Sequence, residues 1–204
     1  MGLKLYHSAA SPYVRKVMIV LNETRQLALV ELVPAGGSPL DPGTIPLSLN
    51  PLGKIPLLER DNGPALYDSR VICRYLDDLG KGGLYPRGDS LWDALTLEAT
   101  GDGIADAALL MVYEGRTRPE DKRHAPWVEG QWSKIARALD ILESRWIAHL
   151  HGPFDIGQIS VLAALGYLDL RHGDREWRTG RPSLAAWEGK LAGRPSVKAT
   201  KPQG

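Results

Sequence analysis

Strand-like alternation runs through the first 80 residues of this chain and then stops. From Gly80 to Asp89 the sequence passes through Gly82, Gly83, Pro86 and Gly88, a density of chain-breaking residues that marks a linker. Beyond it apolar residues recur at helical spacing only: Leu91 to Tyr113, then Pro119 to about His149 with an interruption at Pro126, Asp155 to Asp169, and a short run from Ser183 to Leu191. The expected organisation is a mixed section over residues 1–80, a linker over 81–88 and an all-helical section over 89–204.

Within the mixed section, Leu3, Leu5 and His7 alternate with Lys4 and Tyr6 as on a strand. Ser11-Pro12 then opens a helix, because proline is tolerated in the first turn and serine before it caps. Val14, Val17, Met18 and Leu21 give that helix an apolar face. A second strand is expected from Leu27 to Val33, followed by a Gly/Pro-rich loop from Pro34 to Pro51. Pro56 cannot donate to a central ladder, so it marks a strand start or a cis turn. Asp61 to Pro64 reads as a hairpin turn, Ala65 to Tyr67 as a short return strand, and Asp68-Ser69 as the start of a helix carrying Val71, Ile72, Tyr75 and Leu76. The order is βαβ followed by ββα.

Composition excludes several function classes. A formal net charge of +1 gives no electrostatic basis for binding nucleic acid or an anionic membrane. The single cysteine, Cys73, cannot form an intramolecular disulfide, and no Cys/His cluster has metal-ligand spacing. Neither a cleavable leader nor an apolar run of about 18 residues is present, so the expected setting is cytoplasmic. Cys73 falls in a helix as a small buried hydrophobe; His149 and His151, two apart, do not share a helix face. The six tryptophans read mostly as core, and the basic residues from Arg171 to Arg181, interleaved with acids, as a solvated face.

The chemistry concentrates at the corner from Tyr6 to Lys16. Ser11 stands where free backbone N–H groups and the positive end of a helix dipole favour an anion, and a thiolate is such an anion. Ser11 either caps the helix or offers its hydroxyl to that anion. Ser8 is a more distant alternative, and Tyr6 fits the strand pattern. Asp155 and Gln158 have the spacing of a capping box and are assigned to folding.

The motifs Ser11-Pro12-Tyr13-Val14-Arg15-Lys16, Asn50-Pro51-Leu52-Gly53-Lys54-Ile55-Pro56, Tyr67-Asp68-Ser69, Asp155-Ile156-Gly157-Gln158, Ala164-Leu165-Gly166-Tyr167-Leu168-Asp169 and Arg194-Pro195-Ser196 occur in this order. Together they resemble the glutathione S-transferase family, most closely bacterial members with Ser-Pro-Phe or Ser-Pro-Tyr at the first helix. The resemblance implies a two-domain α+β/α fold: a thioredoxin-like glutathione-binding domain followed by an all-helical domain. It also implies conjugation of the glutathione thiolate to a small hydrophobic electrophile, with glutathione as co-substrate, no metal, a detoxifying role and a homodimer contacting through the helices that begin at Asp68 and Leu91. On this likeness Ser11 is the catalytic residue, and Ile55, ahead of a cis Pro56, pairs its backbone with the cysteinyl unit. Ser69 and the helix N-terminus hold the γ-glutamyl carboxylate, Asp68 its ammonium, and Lys54 approaches a carboxylate. Tyr13, Met111 and Tyr113 are candidates for the electrophile pocket by spacing. A glutathione-dependent peroxidase or disulfide reductase, or a non-catalytic binding protein on the same fold, are the alternatives.

Overall fold

A computed structural model describes residues 2–204; Met1, the first residue of the expected mixed section, lies outside it. Strands β1 (Leu3–His7), β2 (Val30–Pro34) and β3 (Leu57–Arg60) form one sheet in the order β2-β1-β3. β1 runs parallel to β2, with Leu5 opposite Leu32, and antiparallel to β3, with Leu5 opposite Leu58. The parallel pair requires a crossover, which α1 (Pro12–Glu23) supplies. The second strand is shorter than expected because Leu27–Leu29 close into a 3-10 turn. The return strand over Ala65–Tyr67 reduces to the single bridge Leu58 to Leu66, and α2 (Ser69–Gly80) follows at once. The cap of α2 at Asp68 leaves that segment no room to extend.

The rest is helical: α3 (Ser90–Thr117), α4 (Ala125–Arg145), α5 (Ile147–Leu150), α6 (Ile156–Arg171), α7 (Pro182–Leu191) and α8 (Pro195–Ala199). Pro126 does not interrupt a helix; it stands in the first turn of α4, where its missing N–H costs nothing, and the preceding segment is a 3-10 turn over Glu120–Lys122. The break in this stretch falls at Trp146 instead. α8 went unread in the sequence because five residues give no periodicity. The capping box of α6 is present: Asp155 accepts from the N–H of Gly157 and Gln158, and the Gln158 side chain accepts from the Asp155 N–H at 2.8 Å.

α3 and α6 cross closely because Gly101 faces Ser160, where a Cβ would come within 2.6 Å of the Ser160 carbonyl carbon, and Gly157 faces Leu97. One apolar cluster lies under the sheet, around Leu5, Val17, Leu58, Ile72, Cys73 and Leu76, and takes in Ala94, Ile156 and Ile159 from the helical part. A second fills the helical part, with Trp177 and Trp187 fully buried. α1 lies between the two, so it is buried on nearly all sides, Arg15 and Lys16 included, and not only along its apolar stripe. The basic run after Arg171 is likewise more tied down than a solvated face: Arg175 pairs with Glu129, Arg178 with Asp169 and Glu188, and Arg181 with Asp140.

Candidate functional site

Sheet topology brings three loops to one end. β1 ends at His7 and leads into the Ser8–Ser11 corner, and antiparallel β3 begins beside it, just after Ile55-Pro56. Leu66 pairs antiparallel with Leu58, so the chain rises again to the same end and delivers Tyr67, Asp68 and Ser69. The N-termini of α1 and α2 therefore lie at the same end of the sheet, the carboxyl end of the parallel strand pair, where α/β sheets place ligands. A cavity of about 590 Å³ flanks the corner, lined by His7, Ser8, Ala9, Pro34, Ala35, Gly36 and Thr44. A smaller one of about 350 Å³ lies at the opposite end of β1 and holds none of the candidate residues.

Ser11 caps α1: its Oγ accepts from the Val14 N–H at 3.3 Å, and its own N–H donates to the Ser8 carbonyl at 3.1 Å. A hydroxyl has one proton and two lone pairs, so this cap leaves the proton free, and among the described residues nothing accepts it. Capping and donation to an incoming anion are compatible in one side chain.

The Ile55–Pro56 and Tyr67–Asp68 peptide bonds are cis. Among the described residues, neither the N–H nor the C=O of Ile55 has a partner, although backbone polar groups in folded proteins are nearly always paired. Asn50 Nδ2 donates to the Lys54 carbonyl at 2.7 Å and fixes the loop that presents Ile55, while the Lys54 side chain stays exposed. Asp68 caps α2 by accepting from the Arg70 N–H at 3.0 Å. Ser69 is 2% exposed, yet its hydroxyl and N–H have no partner among the described residues. Its hydroxyl oxygen is still open to solvent, as among the described residues the only fully enclosed and unpartnered side-chain nitrogen and oxygen atoms are Arg15 Nε and Gln26 Oε1.

Of the pocket candidates, Tyr13 leaves the first turn of α1 and donates its hydroxyl to Asp106 on α3; burial, helped by that carboxylate, pushes its phenol well up. Tyr113 is half-buried two turns further along α3. Met111 is 7% exposed and belongs to the helical core, so it backs the wall without presenting surface to the cleft. Cys73 is fully buried and burial raises its thiol.

A buried ion network behind the cleft was missed in the sequence. Lys16 Nζ lies 2.8 Å from Asp102 Oδ1 and 3.0 Å from Glu98 Oε1, and Arg70 Nε lies 2.7 Å from Asp102 Oδ2. Ser160 shares its one hydroxyl proton between the Glu98 backbone carbonyl at 2.9 Å and Asp102 at 3.1 Å, and Tyr85 donates to Glu98 at 3.1 Å. Burial by itself lowers the Lys16 pKa, but Asp102 and Glu98 outweigh it and the net shift is upward. One carboxylate thus ties α1 to α2 directly behind their N-termini. The one signal in the sequence is a pair of acids four residues apart, Glu98 and Asp102, in an otherwise Ala/Leu-rich helix; Lys16 lies off the apolar stripe of α1 and gives none. Among the described residues no group of three or more His, Cys, Asp or Glu side chains could hold a metal, and no helix is long and apolar enough to cross a membrane.

The chain matches two family models, that of the glutathione S-transferase N-terminal domain over residues 10–79 and that of the C-terminal domain over residues 125–188. Among curated proteins it is 32% identical to the uncharacterized GST-like protein YibF of Escherichia coli K12, over 98% of each chain. Among solved structures it resembles a glutathione transferase family member from Pseudomonas fluorescens Pf-5 with bound glutathione, at 51% identity and a TM-score of 0.96 over 99% of this chain and 100% of the other. The same Pseudomonas family member with bound S-(propanoic acid)-glutathione gives 51% identity and a TM-score of 0.92 over 98% of this chain and 100% of the other. With both domain models in order along it and relatives aligned over almost its full length, the chain belongs to the glutathione S-transferase family.

Proposed function

We propose that this chain is a serine-type glutathione S-transferase, with Ser-Pro-Tyr at its first helix, that holds glutathione as the thiolate and adds it to a small hydrophobic electrophile without a metal. The observation that carries this reading is the set of unpartnered polar groups around one cleft: the Ser11 hydroxyl proton, both backbone groups of Ile55, and the hydroxyl and N–H of Ser69. They match, in order, a thiolate, a cysteinyl backbone that pairs in β fashion, and a carboxylate at a helix start. Asp68 offers its outer oxygen to the γ-glutamyl ammonium, and Lys54 its ammonium to the glycine carboxylate. Tyr13 and Tyr113, with Met111 behind them, border the electrophile. The glutathione in the Pseudomonas relative, and the substituted glutathione in its second structure, support a tripeptide and a conjugate in this cleft.

Residues 1–80 act as the glutathione domain, 81–88 as the linker and 89–204 as the helical domain, in a cytoplasmic homodimer with a detoxifying role. Trp92, 67% exposed on α3, and Val71, 47% exposed on α2, favour a partner subunit over these two helices. Cys73 offers no protein thiol for a mixed disulfide, which leaves peroxidase or reductase chemistry to glutathione alone. Calorimetric titration with glutathione, followed by turnover of aryl halides, activated alkenes and peroxides, tests the assignment. Binding with conjugation supports it; absence of glutathione binding sinks it, and peroxide turnover alone replaces it with the redox alternative.

A further inference from the structure

Resting on that reading, the inference concerns what the electrophile must carry. Arg171, in the last turn of α6, is half-buried. The point where a Cβ on Gly204 would sit is 3.0 Å from Arg171 Nη2 and 3.0 Å from Ala10 Cβ. The guanidinium and the Ala10–Ser11 corner therefore face each other across the width of one backbone segment. That segment, residues 202–204, is lightly held: Gln203 N–H reaches the Ala9 carbonyl at 3.3 Å, and Gly204 is exposed.

Arg171 is unlike its neighbours. Arg175, Arg178 and Arg181 each hold a carboxylate at 3.0 Å or less. Among the described residues neither Arg171 nor Arg116 on α3 has a carboxylate within 4.0 Å, and Arg171 donates to the Tyr167 phenol oxygen, which leaves most of its donors free. Nearby acids are engaged elsewhere: Asp106 takes the Tyr13 hydroxyl and Asp169 takes Arg178 and the Trp177 indole N–H. Both guanidiniums act on the Tyr167 phenol, countering the burial that otherwise raises it, and so lie near it, as does Tyr113. A half-buried guanidinium without a carboxylate, beside the Tyr167 phenol and one backbone segment away from the Ala10–Ser11 corner, has donors left to receive a planar anion in a forked pair.

We propose that the electrophile bears a carboxylate, received by Arg171 with Arg116 at the rim, so that the enzyme's substrates are small unsaturated or halogenated acids. In the unsaturated case the thiolate sulfur bonds to the β-carbon, the π pair moves to the α-carbon and that carbon takes a proton from water. With a halogenated acid the halide leaves with the carbon–halogen pair. Both give a glutathione thioether with a free carboxylate.

Two conjugates that differ only in this group test the idea by calorimetry: S-(2-carboxyethyl)glutathione and S-propylglutathione, with glutathione as the common reference. The wild-type protein should bind the carboxyethyl conjugate about tenfold more tightly than the propyl one, the size of one charge-assisted pair at a half-buried site. Arg171→Gln should abolish that ratio, Arg171→Lys retain part of it, and Arg116→Gln reduce it less. Equal affinity for the two conjugates in the wild type, tighter binding of the propyl one, or a ratio that survives Arg171→Gln overturns the proposal. The wild-type comparison decides the charge preference even if a variant does not fold. Failure of the wild type to bind glutathione itself overturns the transferase reading instead.

Discussion

Two groups of polar residues sit on the same two helices and have opposite fates. Lys16 stands about one and a half turns below Ser11 on α1, and Arg70 directly follows Ser69 on α2. Lys16 and Arg70 end on Asp102 of α3, with the Lys16 ammonium fully engaged by Asp102 and Glu98 and the pair Lys16–Asp102 sealed from solvent, while the outer end of Arg70 reaches solvent. Ser11 and Ser69, at the helix starts, keep donors with nothing to give them to. Unpaired buried polar groups cost free energy, so a fold that pairs the one set and leaves the next set open has donors to offer a ligand's atoms under the proposed function. The closed set also fixes the spacing of the open one, because one carboxylate holds both helices just behind their N-termini.

The comparison breaks most visibly at Asp102. Asp102→Ala leaves Lys16 as a buried charge with Glu98 alone, and unfolding in denaturant should show a loss of about 3–5 kcal/mol. Lys16 has a folded pKa raised above the unfolded value of about 10.4, so its contribution is complete below that pH and fades only as pH rises through the folded value. The deficit should accordingly be flat through neutral pH. A loss under about 1 kcal/mol would mean that the network is not the closed structure described.

On the open side the effects move from stability to activity. Ser11→Ala should cut conjugation of an aryl halide on the order of a hundredfold, while costing about 1 kcal/mol of stability through the lost cap and leaving glutathione affinity nearly intact; steady-state kinetics beside a melting curve separates these. Ser69→Ala should raise the glutathione dissociation constant about tenfold, read by calorimetry, with a small effect on the rate at saturation. Smallest is Asp155→Ala, in the capping box of α6: about 1 kcal/mol of stability, with glutathione binding unchanged because the residue touches neither set.

The open set was legible in the sequence because it depends on local chemistry. Ser before Pro, Ile before Pro and Asp-Ser before an apolar run each announce a helix or strand start; that the starts belong together was implied by the family resemblance, and the strand directions bring them to one sheet end. Asp155 and Gln158 were legible for the same reason. The closed set was not, since Lys16, Arg70 and Asp102 are brought together by the crossing of α1, α2 and α3, which no spacing along the chain encodes. Met111 shows the same limit: spacing along α3 made it a pocket candidate, but its direction is set by the packing of α3 into the helical core. Ala65–Tyr67 shortened to one bridge because the cap at Asp68 claims the next residue, a competition between two local signals.

The central claim is that Ser11 gives its free hydroxyl proton, as a hydrogen bond, to the glutathione sulfur and so favours the thiolate. It is tested most directly by following the ultraviolet absorbance of the thiolate against pH for glutathione bound to the wild type and to Ser11→Ala. The account predicts that the wild-type complex titrates clearly below the free thiol, whose pKa is about 8.5 for a cysteine, and that Ser11→Ala moves the titration back toward that value. Superimposable titrations for the two complexes would contradict it and leave Ser11 as a helix cap alone.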